Sequence, residues 1–186
     1  PGTIAQLSQS DAIAFRVAFS GALKGIAPAQ SSLYWRGLVM PDFDGRTWRV
    51  SQTREAYTTP PYVEQQGKPI DYELTLEPHG KRWLFALESP TTLPAESGLT
   101  RDYQLLSRQP VRSRLRYTQR AVPSIQKGLT DPPEILQESL ALPKNSNPRT
   151  RAIAESWRQR HGNNDAAIVK AAEDFFSNQL LRYTLN

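Results

Sequence analysis

The sequence predicts an α+β fold, a small antiparallel β sandwich or partly open barrel followed by a short helical region. Three observations lead to it. Apolar and polar residues alternate with period two through the first two thirds of the chain. Fifteen prolines favour edges, turns and caps over long regular elements. After residues 123–133, which hold Gly128 and the Pro132-Pro133 pair, the apolar period changes to 3.6. At 186 residues the chain can bury one good core, or one large and one small. The change of period sets the expected division: a β-rich domain over residues 1–125 and a helical part over 126–186.

In order along the chain, Phe15, Val17 and Phe19 alternate with Arg16, Ala18 and Ser20, the pattern of a half-buried strand. Residues 21–32 form a small-residue loop. Strands are expected over 33–40 and 42–50, the second folded at Asp44-Gly45, where glycine supplies the positive φ of a tight hairpin. Ile70, Tyr72, Leu74 and Leu76 face one way, and Asp71, Glu73, Thr75 and Glu77 the other. Pro78-His79-Gly80 is a turn, and residues 82–87 return beside residues 70–76 as a hairpin. Residues 102–107 are a weaker strand. Val111, Ser113, Leu115 and Tyr117 then alternate with Arg112, Arg114, Arg116 and Thr118. So many apolar faces require two packed layers.

The last third reads as helices. Asp131 is the expected cap of a short helix to Leu140, with Pro132 in its first turn. Asn147 is placed to accept an orphan backbone N–H at the next helix start, and Pro148 sits where a missing donor costs nothing. Ile153 and Trp157 share a face of that helix, which Gly162 ends. Asn164 or Asp165 caps a third helix running to about Gln179. Its stripe of Ile168, Ala171, Ala172, Phe175 and Phe176 should pack on the Trp157 face across the Gly162 turn. Residues 181–185 turn β again. The stop at Asn186, soon after this helix, and the Pro1-Gly2 start suggest a piece of a longer protein.

The residues offer little chemistry. There is no cysteine, and His79 and His161 are the two histidines. That excludes a thiolate nucleophile, a disulfide and a thiolate metal site, and it gives no ordinary zinc site. No Gly-x-Ser-x-Gly elbow or glycine-rich phosphate loop occurs. No catalytic, cofactor-binding or metal-ligating residue is expected, and no cofactor. No apolar run approaches the ~20 residues of a membrane span. A net charge of +5 allows attraction to nucleic acid or an anionic membrane. Nucleic acid is nonetheless not an expected partner. Arg112, Arg114 and Arg116, with Arg120 beyond, lack the interleaved aromatics of single-strand binders. They read as a solvated face paired with Asp71, Glu73 or Glu77. His79 reads as an exposed turn residue, and His161 as a favourable charge at a helix C-terminus. Asp42 and Asp44 read as turn chemistry, and Trp35 and Trp48 as core or cross-strand aromatics. Glu134, Glu138, Glu155, Glu173 and Asp174 read as solvated helix faces.

Several blocks, taken in order, resemble the periplasmic region of a bacterial inner-membrane transglutaminase-like family. They are Leu7-Ser8-Gln9-Ser10-Asp11 with Ala14-Phe15-Arg16-Val17; Leu33-Tyr34-Trp35-Arg36-Gly37; Phe43-Asp44-Gly45-Arg46-Thr47-Trp48; residues 76–87; Asn147-Pro148-Arg149-Thr150; Trp157-Arg158; and Tyr183-Thr184-Leu185-Asn186. The resemblance implies membrane helices first, then a β-rich lead-in domain and a papain-like core on the periplasmic face of the inner membrane. A further membrane helix and a cytoplasmic tail usually follow. It implies protein-glutamine γ-glutamyltransferase activity, an acyl transfer from a glutamine carboxamide carried by Cys, His and Asp. In the family the cysteine lies downstream of the stretch resembling Tyr183-Thr184-Leu185-Asn186, so no position here corresponds to the triad. The resemblance therefore implies a non-catalytic periplasmic portion of such an enzyme. Its partner is the downstream core, and the parent is a cysteine acyltransferase. The alternative is a periplasmic protein- or cell-wall-binding module without activity, which a groove open beside Trp35, Trp48 and Trp83 would favour.

Overall fold

The computed structural model describes residues 12–50, 56–57, 64–88, 90–122, 124–126 and 132–179. The strands are β1 (Phe15–Ser20), β2 (Trp35–Arg36), β3 (Asp42–Phe43), β4 (Trp48–Arg49), β5 (Ala56–Tyr57), β6 (Glu64–Gln66), β7 (Ile70–Leu76), β8 (Trp83–Leu84), β9 (Ala86–Leu87), β10 (Ser97–Thr100), β11 (Leu105–Ser107), β12 (Leu115–Ala121) and β13 (Ser124–Gln126). Three helices follow: α1 (Pro133–Leu140), α2 (Pro148–His161) and α3 (Asp165–Asn178). The described residues fall into two compact units, 12–141 and 142–179.

In the first unit, an antiparallel sheet runs β1-β7-β12. Its register sets Val17 and Tyr117 on either side of Leu74, and Ser20 and Arg120 on either side of Asp71. The period-two pattern then fixes the faces. Tyr72, Leu74, Leu76, Tyr117 and Ala121 are buried on one side, while the charged residues face solvent. A second sheet runs β5-β10-β11-β8, and the pair β2-β9 adds to it a route into the same core. Leu84, Ala86, Leu87, Leu99, Leu105 and Val111 meet the inner face of the first sheet. The result is a two-layer antiparallel β structure with no closed barrel, followed by short helices.

One expectation fails. Residues 82–87 do not return beside residues 70–76. Both edges of β7 are already occupied, by β1 and by β12. Residues 82–87 instead split at Phe85: β8 pairs with β11, and β9 pairs with β2. The expected strands over 33–40, 102–107 and 111–117 are shorter than their alternation implied. Tyr103 takes a positive φ of 59° in the turn before β11, and Val111 is tied to the Pro78-His79-Gly80 turn rather than to β7. Its carbonyl accepts from the N–H groups of His79 and Gly80. The Asp44-Gly45 hairpin forms as read, with Phe43 opposite Trp48 and Gly45 at φ +99°.

The second unit is a helical hairpin. Gly162 ends α2 at φ +58°, and Asn164 caps α3 by accepting from Ala167 N–H at 3.1 Å. Two caps differ from expectation. Asp131 lies outside the described residues; Pro132 occupies the N-cap of α1 and Pro133 its first turn. Asn147 adopts the left-handed conformation, at φ 48° and ψ 57°, and its side chain makes no cap bond. The Arg151 guanidinium supports that entry, donating to the carbonyls of Ser146 and Pro143 at 2.9 and 2.8 Å. Residues 181–185, read as β, lie outside the described residues.

Candidate functional site

The arginine face is a ladder of ion pairs. Arg120 grips Asp71 with two bonds, of 2.6 and 3.0 Å. Arg116 reaches Glu73 at 3.5 Å. Glu77 takes Arg16 at 2.7 Å and Arg114 at 3.2 Å. The Arg120 bond holds the Asp71 carboxyl below its ordinary range, and Arg114 and Arg16 do the same for Glu77. The register opposes Arg120 to Asp71 directly, while Arg116 and Arg16, both opposite Thr75, reach Glu73 and Glu77 diagonally. The arginines are exposed and the acids only half-buried, so the pairs contribute little to stability.

The Asp44 carboxylate is likewise committed. It accepts from the N–H groups of Thr47 and Arg46 at 2.7 and 2.9 Å and pairs with Arg49 at 2.6 Å. The two backbone bonds lower its pKa most, and Arg49 adds to them. It closes a turn, as read from the sequence. Among the described residues, no group of three or more His, Asp or Glu is arranged to hold a metal ion.

The tryptophans separate. Trp35 is half-buried, edge-on to Phe15 at 5.4 Å and to Tyr72 at 5.3 Å. Trp48 is 55% exposed and stacks on Phe43. Trp83 is half-buried, with its ring stacked on His79 at 4.0 Å. His79 is therefore not the exposed turn residue that the sequence suggested. Its Nδ1 accepts from Lys81 N–H at 3.1 Å, and burial lowers its pKa, so the neutral ring is favoured.

Sequence reasoning missed two structural devices. Tyr72 hydroxyl accepts from Leu87 N–H at 2.8 Å and donates to Gln119 Oε1 at 3.1 Å, while Tyr117 hydroxyl donates to Phe85 carbonyl at 2.7 Å. The bonds to Leu87 and Phe85 join the two layers, and the bond to Gln119 ties β7 to β12 within the first sheet. Burial pushes both phenols well above their ordinary pKa. The signal available was the pair of tyrosines at core-facing positions, since a buried hydroxyl needs a partner. The second device is Gly37. A Cβ there would lie 2.8 Å from the Phe85 ring, so glycine is what lets Phe85 cross the chain.

In the helical unit, Trp157 meets Phe175 edge-on at 5.8 Å, as the apolar stripes predict. Phe176 is 63% exposed, and neither α2 nor α3 contains a fully buried residue among those described. His161 is half-buried in the last turn of α2, where Arg158 donates to Gly162 carbonyl at 3.0 Å and pairs with Asp165 at 2.8 Å. Among the described residues no helix is long and apolar enough to cross a membrane.

Comparison with known proteins gives a consistent result. The family model of the TgpA N-terminal domain matches residues 1–126. Over 185 residues the chain is 36% identical to the protein-glutamine gamma-glutamyltransferase of Pseudomonas aeruginosa, covering 100% of this chain and 27% of that relative. The crystal structure of the periplasmic domain of TgpA from the same organism superposes with a TM-score of 0.86 at 35% identity, over 100% of this chain and 62% of that one. The same domain bound to ethylmercury gives a TM-score of 0.84 at 34% identity, over 98% and 63%. The chain thus spans about a quarter of the curated relative and less than two thirds of the crystallised domain. By the family model and by an identity that holds across its length, this chain belongs to the TgpA N-terminal domain family.

Proposed function

We propose that this chain is the non-catalytic periplasmic portion of a membrane-bound protein-glutamine gamma-glutamyltransferase. Residues 1–125 are its β-rich lead-in domain, and residues 126–186 are the first helical part of a papain-like core. The observation that carries the reading is the superposition of the whole chain on part of the periplasmic domain of TgpA. The relative's name supplies the reaction, γ-glutamyl transfer from protein glutamine. With a cysteine nucleophile, a thiolate attacks the carboxamide, ammonia leaves, and an amine takes the acyl group. This chain has no thiol to begin that sequence. The work therefore falls to a Cys-His-Asp triad in the downstream core, with this segment holding that core at the periplasmic face of the inner membrane.

An ammonia-release assay with a glutamine donor and an amine acceptor tests the division of labour. The isolated chain should give no turnover, while the complete periplasmic region of the parent should be active and lose activity on thiol alkylation. Turnover by the isolated chain that survives stringent purification would overturn the proposal. The exposed Trp48-Phe43 stack favours a second reading, a periplasmic module binding protein or cell-wall polymer through that hairpin. Binding of peptidoglycan fragments that Trp48→Ala abolishes would support it.

A further inference from the structure

The exposed face of the first sheet changes charge sign from strand to strand. β1 presents Arg16, β7 presents Asp71 and Glu73 with Glu77 just beyond, and β12 presents Arg116 and Arg120 with Arg114 just before. β12 is the last strand of its sheet. Backbone groups alternate in direction along a strand, so every second residue of an edge strand points its N–H and C=O away from the sheet. Arg120 fixes the parity. Its carbonyl accepts from Thr91 N–H at 2.7 Å, and its N–H donates to Thr92 Oγ1 at 3.0 Å, both outside the sheet. Thr118 and Arg116 share that parity. Among the described residues, nothing pairs with their outward N–H and C=O groups.

A cleft of about 720 Å³ lies against this run, with residues 116–120 on one side and residues 92–95 on the other. Ser20, Asp71, Tyr72 and Glu73 of the neighbouring strands lie along its floor, the two acids there being held by Arg120 and Arg116. Pro90 forms an isolated antiparallel bridge with Ala121, and Thr91 N–H donates to the Arg120 carbonyl. Main-chain pairing to this edge therefore begins there, and residues 92–95 go on to line the cleft. What is left is a slot with main-chain donors and acceptors along one wall. Basic side chains on an edge also discourage unselective pairing. An incoming strand is therefore chosen by its charge.

We propose that the edge of β12, unpaired at Arg116 and Thr118 among the described residues, binds an extended segment of a partner protein in which acidic residues alternate with apolar ones. Main-chain bonds to Arg116 and Thr118 hold the segment. Its acidic side chains fall on the face of Arg114 and Arg116, continuing the alternation of sign as a fourth strand. Its apolar side chains fall on the face of Leu115 and Tyr117. This surface is independent of the acyl-transfer chemistry and uses no residue of it.

The test is fluorescence anisotropy with a short, end-blocked, labelled peptide alternating valine and glutamate, titrated with this chain at low ionic strength. A peptide alternating valine and lysine is the control, and binding should favour the glutamate peptide by about tenfold or more. Arg116→Glu should reverse that preference. Thr118→Pro removes one edge donor at a position where proline is tolerated, and it should abolish binding with an unchanged circular dichroism spectrum. N-methylating the amides on one edge of the probe should abolish binding, whereas methylating the other edge should not. No binding, or binding that ignores N-methylation, would overturn the proposal. So would binding that is lost in the complete periplasmic region of the parent, because the occupant would then be the parent chain itself.

Discussion

Replacing Tyr72 by phenylalanine removes one oxygen and keeps the ring, so it isolates one bond that joins the layers and one that ties β7 to β12. The hydroxyl is the acceptor for Leu87 N–H and the donor to Gln119 Oε1, and Tyr72 is 1% exposed. Without it, an N–H and an amide oxygen remain buried. Each such group costs about 1–3 kcal/mol, and Gln119 keeps its Nε2 bond to Thr92 carbonyl, so the total should be about 2–4 kcal/mol. Tyr117→Phe is the internal control. It strips one bond from Phe85 carbonyl and should cost about 1 kcal/mol. Urea melts followed by near-ultraviolet tryptophan signal would compare the two, reading the midpoint at constant slope. A loss for Tyr72→Phe below about 0.5 kcal/mol, or below that of Tyr117→Phe, would refute the argument that this hydroxyl ties the layers.

Gly37→Ala should cost about 1–3 kcal/mol by urea melt, because the Phe85 ring is held by Phe15 and Trp83 and has little room to move; shrinking the neighbour with Phe85→Leu should return part of the loss. Trp157→Ala should cost the helical unit about 2–3 kcal/mol, less than full burial would give, read by helix circular dichroism. A loss below about 1 kcal/mol would mean that the indole contributes nothing to the hairpin. The two buried phenols have folded pKa values raised above the unfolded one, so their contribution is complete below pH about 10 and falls as the pH rises above it. Alkaline melts should show a steeper decline for the parent chain than for Tyr72→Phe or Tyr117→Phe.

The faces of the strands were legible in the sequence, and their partners were not. Alternation at Tyr72, Leu74 and Leu76 states which side is buried, and the structure agrees. It says nothing about which strand lies alongside, because both neighbours of β7 come from far along the chain. Proximity in sequence therefore suggested the wrong hairpin. Short-range signals fared better. The Asp44-Gly45 turn, the Gly162 stop and the Asn164 cap are decided within a few residues. Asn147 shows the limit even there, since one backbone conformation decides whether its side chain reaches an N–H. The arginine face was legible because an acid-bearing strand elsewhere in the chain matched its spacing. The His79-Trp83 stack was not, because a turn motif carries no information about what packs upon it.

The two units hold themselves together by different means, and that difference bears on the proposed division of labour. The β unit buries Tyr72, Leu74, Leu76, Leu84, Leu99 and Leu105 almost completely and joins its layers through buried hydroxyls. Each large apolar side chain so buried contributes about 1.5–3 kcal/mol. The hairpin of α2 and α3 has the Trp157-Phe175 contact, with Val169 and Phe176 largely exposed. Isolated helices of that length are marginal in water. Their order must come from packing, and within the described residues packing covers only one side of the stripe. The β unit has a buried core of its own, whereas the hairpin has apolar surface left to bury. That asymmetry is what the proposed division of labour requires: a well-packed β unit, and a helical hairpin with apolar surface left for a catalytic core to cover.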